Sequence, residues 1–146
     1  MQAYDKAIAG DANIGNRLSL ADIWVNKSAL LWKLRRYSQS LESATQAVAI
    51  NPKSFMGWFN RGLALMALDR YGEALQSYNR AVNLDPQNAD YWTGRGMALM
   101  ALNDNATSLA AFEQALKLNP SQAQAVMGRN MVAERLKPKP PTSPSK

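Results

Sequence analysis

Apolar residues recur at three- and four-residue intervals from Trp58 to Leu68, and again at Leu75, Tyr78, Ala81 and Val82 within the stretch Tyr71 to Leu84. That spacing puts them on one face of an α-helix, not on one side of a strand. Asp69 and Arg70 separate the two stretches, and Asp85-Pro86 closes the second, because proline disfavours helix at the residue before it. The pattern predicts a helical hairpin.

The same pattern returns along the chain. Trp24, Trp58 and Trp92 stand 34 residues apart, with Val126 one interval further. Leu31, Leu65 and Leu99 keep the interval, as do Ala47, Ala81 and Ala115, and Pro52, Pro86 and Pro120 close successive units. A repeat of this length made of two helices cannot bury its apolar face alone, so neighbouring units must stack into one continuous core.

With a closing proline, small residues at Gly62 and Gly96, alanines at Ala74, Ala81 and Ala115, and aromatics at Trp58, Tyr78, Trp92 and Phe112, the units resemble the tetratricopeptide repeat family. The resemblance implies an all-α, right-handed superhelical solenoid with repeats at 21–54, 55–88 and 89–122 and a capping helix at 123–137. The first repeat departs from the pattern: Ser28 stands in the place of a glycine and Ala44 in that of an aromatic, which predicts less regular packing there. Ser108 stands where alanine is usual.

Before the first repeat, Gln2 to Asn13 lines up with Gln76 to Asn88, so residues 1–13 are expected to form an orphan second helix, joined by a connection at 14–20. A helix without its hairpin partner is open to three readings: a degenerate cap, the end of a longer array, or an element exchanged with a second copy. Residues 138–146 are rich in proline, serine and lysine and are expected to be a disordered tail.

Composition narrows the chemistry. With no cysteine and no histidine, the chain lacks the usual nitrogen and sulfur ligands for zinc, haem or iron–sulfur clusters, a thiol nucleophile, and the commonest general base. There is no phosphate-binding glycine loop and no metal-spaced carboxylate cluster, so neither an enzyme nor a cofactor is expected. Lys137, Lys139 and Lys146 carry three of the formal +6 net charge, leaving too little on the folded part to define a nucleic-acid footprint. No stretch approaches a membrane span, and neither direct membrane insertion nor a secretory leader is expected; the expected location is cytoplasmic.

The resemblance implies a protein-interaction scaffold, with first helices lining a concave groove for a peptide segment. Carried over by register, the inward positions are Asp22, Val25, Asn26, Ala29, Trp32 and Lys33, then Met56, Phe59, Asn60, Leu63, Met66 and Ala67, then Asp90, Thr93, Gly94, Met97, Met100 and Ala101, with Met127 and Met131 from the cap. All six methionines after Met1 fall in this set. Methionine supplies adaptable apolar contact area, which points to an apolar or amphipathic partner segment. The groove residues expected to carry it are Asn26, Trp32, Met56, Phe59, Asn60, Leu63, Met66, Thr93, Met97, Met100, Met127 and Met131. Phe59, Leu63, Met66, Met97 and Met100 form its centre, solvent-facing when empty.

The family's clamp for the terminal carboxylate of heat-shock chaperones is largely missing. Asn60 matches it, but Val25, Ala29, Asp90 and Gly94 stand where charged or amide groups are needed. Lys27, Arg61, Arg95 and Arg129 repeat every 34 residues, and are read as long side chains covering apolar surface, not as a phosphate track. Trp24, Trp58 and Trp92 read as core, leaving Trp32 as the tryptophan open to a partner. The alternative function is self-assembly into a homo-oligomer through the open amino-terminal end.

Overall fold

The turns between paired helices show how the sequence closes each hairpin. The computed structural model describes Asp5 and residues 17–144. Among these, seven helices follow one another: α1 Arg17–Lys33, α2 Tyr37–Ile50, α3 Phe55–Ala67, α4 Tyr71–Leu84, α5 Ala89–Ala101, α6 Asn105–Leu118 and α7 Ala123–Leu136. Arg35, Asp69 and Asn103 each turn the chain in the left-handed region, with φ of 59°, 58° and 62°. The following amides reach back to the carbonyls of Leu31, Leu65 and Leu99 at 2.9, 2.9 and 3.0 Å, capping the first helices. The repeated leucines therefore mark the last turn of each first helix as well as its core face.

Second helices end at Asn51, Asp85 and Asn119, whose φ of −129°, −141° and −143° is the extended backbone a following proline imposes. The next repeat grips this turn: Trp58 Nε1 donates to the Pro52 carbonyl and Trp92 Nε1 to that of Pro86, both at 2.8 Å. Tryptophan and proline are thus two halves of one joint between units. Ser54 and Asn88 cap α3 and α5 by accepting from Gly57 N and Asp90 N.

Each helix packs on the next, and the first helices also touch one another, α1 on α3, α3 on α5 and α5 on α7. The second helices α2, α4 and α6 make no such contacts. First helices therefore sit closer together than second helices, which makes their shared surface the inner, concave one. The result is an all-α helical solenoid.

Aromatics key the layers together. The Tyr78 ring lies so close to Gly62 and Gly94 that an added Cβ would stand 2.7 and 2.5 Å from its Cε1. Phe112 repeats this between Gly96 and Gly128, where the distances to Phe112 Cε1 and Cζ would be 2.8 and 2.3 Å. The small residues are required by the aromatic opposite them.

Two expectations need amendment. The stretch read as a connection at 14–20, with the first repeat beginning at 21, is helical from Arg17, so α1 is a turn longer than α3 or α5. The first repeat does depart from the regular pattern, as expected, but its junction with the second is filled rather than loose. Ser28, Ala44 and Asn60 are buried, with Asn60 Nδ2 donating to Ser28 Oγ at 3.0 Å and to the Val25 carbonyl at 3.2 Å, and Ser40 Oγ donating to the Ser28 carbonyl at 2.8 Å. Apart from Asp5, residues 1–13 lie outside the described residues. From Pro138 to Pro144 the chain is exposed and forms no helix or strand.

Candidate functional site

The inner face is built from the sides of α1, α3, α5 and α7 not used for packing on second helices. On it the structure forms two apolar depressions. One, about 190 Å3, is lined by Ala29, Trp32, Lys33, Asn60 and Leu63. Trp32 is held there by its edge against Tyr37, with ring centroids 6.3 Å apart, and by Nε1 donating to the Leu63 carbonyl at 3.4 Å. An indole fixed in this way presents its face without losing much side-chain freedom on binding.

The other depression, about 220 Å3, is lined by Met97, Met100, Gln124, Met127, Gly128 and Met131. It lies between α5 and the cap, so the capping helix also forms one wall of the site. Met127 and Met131 are among the exposed large apolar residues of the molecule, at 64% and 47% of full exposure. Met56, at 51%, is a third exposed methionine at the start of α3, and Asn26 is exposed on α1.

Several expected groove residues belong to the packing instead. Thr93 is buried, and its hydroxyl lies 2.9 Å from the Ala89 carbonyl and 2.8 Å from Gln122 Oε1, while Gln122 Nε2 donates to Asp90 Oδ1 at 2.6 Å. These groups tie α5 to the turn before α7 and offer nothing to a ligand. Asn60 borders the Trp32 depression, but its amide is committed to Ser28 and Val25. Phe59 stacks at an angle on Tyr91, centroids 4.9 Å apart, and on Tyr78 at 5.9 Å.

The central methionines are half-buried and not wholly solvent-facing. Met66 packs on the cluster of Leu65, Ala74, Tyr78 and Ala98, and Met97 and Met100 on that of Phe112, Ala115, Ala125 and Val132. Met97 and Met100 therefore serve the core with one side and the groove with the other, whereas Met66 lines neither depression.

The basic ladder lies over the repeated tryptophans. Lys27 Nζ is 5.2 Å from the Trp24 ring centroid, and the Arg61 and Arg95 guanidiniums are 5.9 and 5.6 Å from those of Trp58 and Trp92. Lys27 also pairs with Asp5, Arg61 donates to Ser77 Oγ at 2.6 Å and Arg95 to Asn79 Oδ1 at 2.7 Å. The three tryptophans are half-buried, their rings shielded by these cations. One further groove has little signal in the sequence: it sits on the outer side, where Arg80 joins Arg61 at Trp58. That signal, a second arginine at a position that is glutamine in the neighbouring repeats at Gln46 and Gln114, is a single residue.

No helix among the described residues is long and apolar enough to cross a membrane. Models of the tetratricopeptide repeat match residues 27–89 and 89–122. No protein of curated function matches in sequence. Among solved structures, the TPR domain of OM64 from Arabidopsis superposes with a TM-score of 0.79 at 21% identity, covering 82% of this chain and 99% of that one. The first TPR of Spaghetti (RPAP3) bound to the HSP90 peptide SRMEEVD gives 0.77 at 22%, covering 80% and 92%. MamA gives 0.81 at 18%, covering 92% and 75%.

Proposed function

Because the chain belongs to the tetratricopeptide repeat family of protein-interaction modules, we propose that this scaffold holds an apolar or amphipathic segment of another protein along its concave face. The observation that carries the reading is the pair of apolar depressions on that face, one around Trp32 and Leu63 and the other around four methionines. Apolar side chains of the segment seat in both depressions, and its polar side faces the solvent. Methionine side chains adapt their rotamers to the anchor they receive, which suits a family of related segments better than one sequence.

The chemistry of the face argues against an acidic tail such as the one bound by the RPAP3 domain. Asn60 has spent its amide internally, Val25 is buried, and the exposed Asp22 and Asp90 repel a carboxylate. Selection of displayed random peptides on the intact protein tests the reading. Enriched sequences should carry two apolar anchors and should be lost on the variant Met127→Gln/Met131→Gln. Failure to enrich any sequence with apolar anchors would overturn it, as would anchor-bearing sequences that are retained in full on that variant.

A further inference from the structure

The outer face carries a groove of about 630 Å3 between α2, α3 and α4, with Val48 and Trp58 among its lining residues. The residues lining it include two arginines, Arg61 and Arg80, and no carboxylate. Both guanidiniums pack on the same indole, 5.9 and 5.6 Å from the Trp58 ring centroid, and neither makes an ion pair among the described residues. Burial pushes the Arg61 pKa down, with Arg70 adding to the effect and Glu73 opposing it, as for a cation drawn into a partly apolar place without a full counter-charge. Gln76 and Asn83 on its rim carry side-chain amides able to donate.

We propose that this groove binds an extended acidic peptide segment, with Arg61 and Arg80 pairing its carboxylates and Gln76 and Asn83 holding its backbone. A guanidinium already stacked on an aromatic ring has lost much of its freedom, so pairing it with a carboxylate costs less ordering than pairing a free one. The planar fork also fits a carboxylate by two parallel hydrogen bonds.

A single-stranded nucleic acid fits the groove less well. It needs an uncovered aromatic face on which to stack and a track of cations along its backbone. The Trp58 ring already carries guanidiniums and its Nε1 is tied to Pro52, while the paired arginine is not repeated, since Gln46 and Gln114 stand at the matching positions. The ladder cations on either side are engaged, Lys27 with Asp5 and Arg95 with Asn79, so the doubled charge at Trp58 is local and suited to a few carboxylates.

Fluorescence anisotropy with a labelled oligoglutamate peptide at low salt tests the proposal. Arg80→Gln, an exposed position whose loss leaves the fold intact, should weaken binding about tenfold, while Lys117→Gln, an equal loss of charge on the exposed side of α6, should change it by less than about twofold. Arg61→Gln should act like Arg80→Gln if its thermal melt is unchanged; if it unfolds the protein, Arg80→Gln alone decides. Met127→Gln/Met131→Gln should leave oligoglutamate binding unaltered, separating this groove from the concave face. The proposal is overturned by absent binding, by equal losses in Arg80→Gln and Lys117→Gln, by dependence on the two methionines, or by tighter arginine-dependent binding of a labelled oligouridylate.

Discussion

Asn60 donates from Nδ2 to Ser28 Oγ at 3.0 Å, and this pair stands, one interval of 34 residues earlier, where Gly94 and Gly62 flank Tyr78. Ala44 stands in the matching place of the tyrosine. One repeat therefore joins its neighbour with a large ring between two glycines, and the other with a small residue and two hydrogen-bonded polar side chains. Both leave the junction filled, which is the condition close packing imposes.

It follows that the three positions act as a unit. Ala44→Tyr alone should overpack the junction and cost roughly 1–3 kcal/mol, and Asn60→Gly alone should cost about as much by opening a void and removing the amide that bridges Ser28 Oγ and the Val25 carbonyl, although Ser28 Oγ still donates to the Val25 carbonyl at 2.7 Å. The triple variant Ser28→Gly/Ala44→Tyr/Asn60→Gly should recover most of that loss, since it copies the arrangement around Tyr78. Denaturant midpoints of the singles and the triple check this; additive losses would show that the sites are independent.

Glycine has opposite effects at different positions. Gly94→Ala and Gly128→Ala would place a methyl 2.5 and 2.3 Å from aromatic ring atoms, and each should cost about 1–3 kcal/mol. At Gly72, on the exposed side of α4, nothing lies within 4 Å of the added Cβ, and Gly72→Ala should stabilise by about 0.5–1 kcal/mol. Thermal melts of the three variants decide it, a loss at Gly72 being the adverse outcome.

Much of this architecture is legible in the amino-acid sequence, because the hairpin, the stacking and the turns are each set by residue type at a fixed interval. Trp58 and Pro52, Tyr78 and Gly62 keep their spacing along the chain, and spacing is what a repeat exposes. Contacts across units that do not recur leave no such trace. The Asn60 amide reads as a free groove donor until Ser28 and Val25 are seen beside it, and Thr93 reads as an inner-face hydroxyl until Gln122 is. The depth of the methionines depends on which side of each thioether chain meets the core. The outer groove stays hidden because the register explains Arg61 as a cover for Trp58 and gives no reason to look for Arg80 beside it.

The left-handed turn residues offer a second route to stability. Arg35, at φ 59°, holds a backbone conformation that costs a long side chain about 1 kcal/mol relative to asparagine or glycine. Arg35→Asn copies the residue at Asn103 and should raise the melting temperature by a few degrees. An unchanged melt would mean that the surrounding contacts of Arg35 offset the strain.

High pH should unfold the protein through its buried phenols. Burial chiefly, with the carboxylates of Asp85 and Asp90, pushes the Tyr91 pKa up to about 12, and burial also pushes that of Tyr78 up. In the unfolded chain these groups ionise near 10.0, so above that pH the unfolded state binds fewer protons than the folded one and stability falls as pH rises. The contribution is complete below about pH 10 and for Tyr91 is lost by about pH 12. Tyr91→Phe should flatten the decline in urea midpoint across this range; an unchanged slope would place the alkaline sensitivity elsewhere.

The concave face makes the most specific demand, because its methionines divide by depth. Met127 and Met131 are 64% and 47% exposed, so replacing both by glutamine removes apolar contact area without opening the core and should change stability by less than about 0.5 kcal/mol each. Met66 and Met100 also pack on the clusters around Tyr78 and Phe112, and the same replacement there puts an amide partly into apolar surroundings, at about 1–2 kcal/mol each. If the groove holds an apolar segment, both pairs should weaken capture of a selected peptide, yet only the second should lower the denaturant midpoint. Isothermal titration of each double variant, beside its unfolding curve, separates the two effects. Weakened binding that tracks stability alone, with Met127→Gln/Met131→Gln retaining full affinity, would make the methionine surface a packing feature and move the search for the partner to another face.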